Sequence, residues 1–115
     1  MLAKKNRLTG QKNFARAVKL GRGINDPLFL IKALPNNLKD SRFGIVVSNK
    51  VSKKATLRNR LKRQLRSLIF LNLSRFEKPL DVVIITRPEI KDKKYNEIKE
   101  NFFLALEKLN KKNYK

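Results

Sequence analysis

The sequence predicts an α+β fold in a single domain, with one sheet packed against helices, and three stretches carry that prediction. Leu57, Leu61, Leu65, Leu68 and Ile69 recur at the spacing of one helical face. Tyr95, Ile98, Phe102, Ala105, Leu106 and Leu109 repeat the pattern further on. Between them, Leu80-Asp81-Val82-Val83-Ile84-Ile85-Thr86 is apolar almost without alternation, as a strand covered on both faces must be. At 115 residues the chain makes one domain that buries roughly two-thirds of its unfolded surface.

In chain order, residues 1–8 form a basic lead-in expected to be flexible. Thr9 is the expected N-cap of a first helix over residues 10–20, whose apolar members are Phe14, Ala15, Val18 and Leu20, and Gly21 and Gly23 stop it. On pattern alone Phe14 reads as a core anchor. Asp26-Pro27 opens a strand at residues 28–34, closed by the turn Pro35-Asn36-Asn37. A second strand, residues 42–48, puts Phe43, Ile45 and Val47 on one face and Gly44, Val46 and Ser48 on the other. These two strands are expected to pair as antiparallel neighbours through residues 35–40. Residues 49–54 are polar, with room for no more than a short third strand.

Ala55-Thr56 leads into the long helix, expected to continue through Leu73 before residues 74–79 break it. The strand at residues 80–86 reads as central, and parallel pairing suits it because a helix precedes it. Arg87-Pro88 ends it. The last helix spans residues 94–110, and residues 111–115 make a second basic end expected to fray. The order is helix, two or three strands, helix, strand, helix.

Charge points to a partner. Lys and Arg number 29 against 9 acids, a formal charge of +20, and such a field attracts polyanions. On the long helix the apolar stripe is opposed by Asn59, Lys62, Arg63 and Arg66, with Arg58 and Arg60 at its edges, and no acid lies between Asp40 and Glu77. Arg58, Lys62 and Arg66 stand four apart, where each like-charge pair costs about 0.2–0.5 kcal/mol. Solvated helix faces normally mix signs. A row that costs stability alone makes sense against a polyanion, and the planar fork of Arg matches phosphate oxygens two at a time. The helix wall reads as a nucleic-acid surface.

Other chemistry is excluded. Without Cys or His there is no disulfide, thiol nucleophile, Cys/His zinc site or histidine acid–base pair. No apolar run approaches the roughly 20 residues of a spanning helix, and the start lacks the apolar core of a signal peptide, so a cytoplasmic location and no membrane partner are expected. The acids are scattered, with no pair spaced to hold two magnesium ions beside a phosphate. Asp81, the acid within a strand, reads as a strand-end residue bonded to backbone or to a lysine. No phosphate-cradling glycine loop announces a small-molecule cofactor. Any catalysis the protein joins draws its reactive groups from another molecule.

The pattern resembles one family, the protein component of bacterial ribonuclease P. The match rests on RNRLKRQLR from Arg58 to Arg66, which opens the long helix with an Arg-Asn-Arg motif, and on FGIVVSNKVSKKAT ahead of it, with weaker matches at Arg7-Leu8, Phe14 and Gly21. The resemblance covers nearly the whole chain. It implies the order αβββαβα, one mixed four-stranded sheet packed with three helices, and a left-handed parallel crossover around the basic helix, against the usual hand. It further implies that Lys50, Lys53, Lys54, Arg58, Asn59, Arg60, Lys62, Arg63 and Arg66 bind the catalytic RNA subunit. The 5′ leader of precursor tRNA would lie between the first helix and the sheet, on Phe14, Val18 and Phe29. Val18 departs from the family, which usually has a second aromatic there. The implied reaction is removal of that leader by the RNA, with Mg2+ bound mainly by the RNA and no catalytic residue in the protein. Two other classes share parts of the pattern. A ribosomal or other structural RNA-binding protein shares charge and size; a helix-turn-helix DNA-binding protein needs a compact helix pair that the strands before the basic helix do not supply.

Overall fold

The computed structural model describes residues 2–111. Its elements run α1 (Gln11–Leu20), β1 (Arg22–Asn25), β2 (Phe29–Pro35), β3 (Arg42–Val46), α2 (Ala55–Leu71), β4 (Leu80–Thr86) and α3 (Tyr95–Lys111). The expected order αβββαβα and the mixed four-stranded sheet with three helices are therefore present. Residues 112–115 of the expected basic tail lie outside the described residues, whereas Lys111 closes α3.

The strand order in the sheet is β1-β2-β4-β3, with β2 antiparallel to both neighbours and β3 parallel to β4. Two expectations are corrected here. The third strand is β1, not residues 49–54, and β2 and β3 are not neighbours because β4 lies between them. The reason is burial: β4 is apolar on both faces and takes the interior position, flanked by a partner on each side. Strand β1 starts directly after α1, where the extended Gly21 donates its N–H to the Ala17 carbonyl and closes the helix, and Ile24 seals against the core. The Asp26 carboxylate accepts the Leu28 N–H at 2.8 Å, a side-chain turn that joins β1 to β2 tightly.

Helices cover both sides of the sheet. Phe29, Ile31 and Ala33 of β2 and Leu80, Val82 and Ile84 of β4 join the main core with Leu61, Leu65, Leu68 and Ile69 of α2 and Phe102, Leu106 and Leu109 of α3. The α2 stripe is thus the buried face expected, each fully buried leucine contributing roughly 1.5–3 kcal/mol. Leu65→Ala would cost about 2–5 kcal/mol. The helix stops two residues early, at Leu71, where the buried Asn72 donates its side-chain N–H to the Leu68 carbonyl and a tight turn (Leu73–Arg75) follows. On the opposite side a smaller cluster, Leu8, Ala17 and Val83 with Phe14, Val46 and Ile85, seats α1.

Residues 2–8, expected to be flexible, are packed. Leu2 is 5% exposed in the main core, Leu8 donates its N–H to the Phe43 carbonyl, and Arg7 bridges to Phe43, so the segment covers the free edge of β3. Thr9 is not the N-cap of α1. Gly10 takes that place at φ +87°, a left-handed conformation that favours glycine, and no side chain caps the helix. Thr9 instead accepts a hydrogen bond from the Asn13 side chain at its carbonyl.

Candidate nucleic-acid interface

On α2 the apolar stripe turns inward, so the residues between its members must face out. Asn59, Arg60, Arg63 and Arg66 are exposed, while Lys62 and Arg58 are half-buried. None of these cations is in an ion pair among the described residues, whose pairs include Lys5–Asp40, Arg42–Asp81 and Lys93–Glu97. The first turn of the helix holds no acid and Lys54 makes no side-chain cap, so the positive end of the helix adds to the cationic field.

The approach to α2 is ordered by its own hydrogen bonds. The Ser48 hydroxyl accepts the Lys50 N–H, and the Ser52 hydroxyl accepts the Lys54 N–H at 3.1 Å. Val51 and Ser52 are buried, which leaves Lys50, Lys53 and Lys54 facing solvent beside the helix wall. Arg58 donates to the Ser52 carbonyl at 2.9 Å and braces the loop against the helix. Sequence pattern placed Arg58 at the edge of the wall without revealing this brace, because the helix period carries no information about the loop folded back on it.

The second predicted surface lies on the α1 side of the sheet. Phe14 is half-buried, and its ring sits directly over Gly44: a Cβ added to Gly44 would lie 2.2 Å from Phe14 Cζ. Phe14 is therefore both packed and partly open, which joins the core-anchor expectation to the surface one. Val18, one turn further along α1, is 38% exposed. Leu30, Lys32 and Leu34 of β2 are half-buried and stand in register with Ile85, Val83 and Asp81 of β4, the side of the sheet that α1 covers in part. Phe29 is not brought there. It is 0% exposed in the main core, because the two-residue period of β2 turns it toward α2 and α3.

Asp81 is held by arginine, not by lysine or backbone. Arg42 Nε donates to Oδ1 at 2.8 Å and Nη2 to Oδ2 at 2.6 Å, while Asn36 Nδ2 donates to Oδ1 at 2.9 Å. Burial pushes the Asp81 carboxyl up, but the hydrogen bonds from Arg42 and Asn36 and the nearby Arg42 and Arg16 charges outweigh it and hold the carboxyl below its usual range. The hydrogen bonds that Arg42 donates to Asp81, and then the Asp81 charge, raise the Arg42 pKa against the opposing effect of burial. This clamp ties the ends of β3 and β4 to the turn after β2. Among the described residues no three His, Cys, Asp or Glu side chains gather to hold a metal, and no helix is long and apolar enough to cross a membrane.

Known proteins share this arrangement. The family model described as Ribonuclease P matches residues 2–110. The ribonuclease P protein component of Synechocystis sp. is 43% identical over 76% of this chain and 72% of its own. That of Lactobacillus delbrueckii subsp. bulgaricus is 33% identical over 91% of this chain and 88% of its own. Among solved structures, the RNase P protein of Staphylococcus aureus superposes with a TM-score of 0.84 at 28% identity, covering 92% of this chain and 95% of that one. The RNase P protein of Thermotoga maritima gives 0.81 at 29% identity, covering 89% and 96%. A family match over residues 2–110, relatives aligned over most of both chains and a shared fold lead to one conclusion: the chain belongs to the ribonuclease P protein component family.

Proposed function

We propose that the protein is the accessory subunit of ribonuclease P, which assists a catalytic RNA in removing the 5′ leader of precursor tRNA. The observation that carries this reading is the α2 wall, whose cations have no acidic partners among the described residues in a chain of this family. Arg60, Arg63 and Arg66, with Lys50, Lys53, Lys54, Arg58, Asn59 and Lys62, bind phosphates of the RNA subunit and lower the repulsion between two polyanions. On the other side of the sheet, Phe14 offers a ring to an unpaired leader base and Val18 offers apolar surface beside it. On this reading the RNA binds the magnesium that supports phosphodiester hydrolysis, and the protein's side chains position the two RNAs without moving a proton.

Paired titrations with precursor and mature tRNA test the division of labour. In the assembled particle, Phe14→Ala is expected to weaken precursor binding by about 1–3 kcal/mol, one stacked base, and to leave mature tRNA unaffected. Arg63→Ala is expected to weaken assembly with the RNA subunit and to reduce the slope of log affinity against log salt by about 0.7–0.9. Equal losses for both tRNAs with Phe14→Ala would show that Phe14 serves packing alone.

A further inference from the structure

Where α2 passes the start of α3, Arg60, Arg63, Gln64 and Ser67 face Tyr95 across a groove of about 290 Å3. Tyr95 is half-buried and rests against the main core, so its ring has a rigid backing and one side toward the groove. None of the five side chains makes a hydrogen bond or ion pair within the described residues, and no carboxylate lines the groove. The lining therefore offers two guanidinium forks, an amide and two hydroxyls, all without protein partners, beside an aromatic plane.

That combination fits a nucleotide better than a simple anion or an apolar ligand. Forks match phosphate oxygens, the amide and hydroxyls match ribose or base edges, and the ring matches a base. Deepening the reading of α2 as an RNA surface, on which it rests, we propose that this groove takes one unpaired nucleotide of the ribonuclease P RNA. Its phosphate lies on Arg60 and Arg63 and its base stacks on Tyr95. The RNA interface then extends from α2 onto α3, with Tyr95 as a contact that the helix motif by itself does not contain.

Tyr95→Trp tests this directly, because the chain has no other tryptophan and its emission is excited at the red edge of RNA absorption. Titration with transcribed ribonuclease P RNA is expected to quench that emission saturably, with the midpoint of assembly. Tyr95→Ala is expected to weaken assembly by about 5- to 150-fold, the range for one stacked base, with the salt slope unchanged. Tyr95→Phe keeps the ring and is expected to lose one hydrogen bond at most, about 2- to 13-fold, and less than the alanine variant loses. Melting curves accompany each variant, and the tryptophan measurement decides the matter if the alanine variant unfolds. Unchanged emission in a Tyr95→Trp protein that assembles normally would overturn the proposal, as would quenching by precursor tRNA but not by the RNA subunit. Failure of the wild-type protein to bind the RNA at all would instead overturn the reading of α2.

Discussion

On α2, Arg60, Arg63 and Arg66 stand exposed with no acidic partner among the described residues, whereas across the sheet Arg42 is closed onto Asp81 by two hydrogen bonds and Asn36 completes the clamp. The first surface keeps its charge for a partner; the second uses its charge to hold β3, β4 and a turn together. Exposed charges are screened over about 8 Å at physiological salt, while a buried pair is screened far less. Recognition at the wall should therefore follow ionic strength, and recognition beside α1 should follow shape. The largest expected effect tests the paired side. Arg42→Ala leaves the Asp81 side chain, 6% exposed, with Asn36 as its remaining partner, and should cost about 3–5 kcal/mol in urea unfolding. A loss below about 1 kcal/mol would place this pair in the class of solvated surface bridges.

The same clamp has a pH signature. Because the folded state holds the Asp81 carboxyl below its ordinary value of 3.8, the pair's contribution is fully present above that value and is lost as pH falls through the lower folded one. The stability gap between wild type and Arg42→Ala should be constant from neutral pH to about pH 5 and narrow below pH 3.8. Urea melts at several pH values measure it, and a gap that narrows as pH rises would contradict the direction.

Next in size is the seat of Phe14. Gly44→Ala puts a methyl group where the Phe14 ring lies, with contacts of 2.2, 2.7 and 3.0 Å to its atoms, so the ring must leave its place. Overpacking of this kind costs about 1–3 kcal/mol. If the ring is only an anchor, the variant loses stability alone; if it also stacks on leader bases, precursor binding falls in the refolded protein as well. Wild-type affinity for precursor in a Gly44→Ala protein with a displaced ring would remove Phe14 from the leader surface.

The paired side was also the side least legible in the sequence. The α2 stripe and the β4 run are local patterns, and both appear where periodicity put them. The clamp is not local: Arg42 lies 39 residues from Asp81 and Asn36 lies 45 away. They meet because β4 inserts between β2 and β3, and nothing within either strand says which neighbour it will find. Strand β1 is not legible because four residues with one buried side chain, Ile24, carry too little pattern, and Gly21 and Gly23 read as a helix stop. Phe29 departs from the expectation by parity: an aromatic ring suits a stacking surface, yet the pleat turns this one into the core. The wall was readable because unpaired charge needs no distant partner to be seen.

The smallest expected effect separates the two sides without any RNA. Free protein at +20 repels itself, and its exposed wall offers guanidinium forks to small oxyanions. Sulfate at several times its dissociation constant should add about 1 kcal/mol, by RT ln(1 + [L]/Kd), and raise the melting temperature by about 4 °C. Sodium chloride at equal ionic strength screens the repulsion without occupying the forks, so the difference between the two salts reports bound anion. Arg60→Ala combined with Arg63→Ala should reduce that difference, because it removes two of the wall's three exposed forks. Phe14→Ala should keep it in full, because that ring lies across the sheet and carries no charge. Thermal melts of the three proteins in matched salts decide the point. A sulfate effect undiminished in the double arginine variant would place the anion elsewhere, and the contrast between an open wall and a closed clamp would then have to be redrawn around that other site.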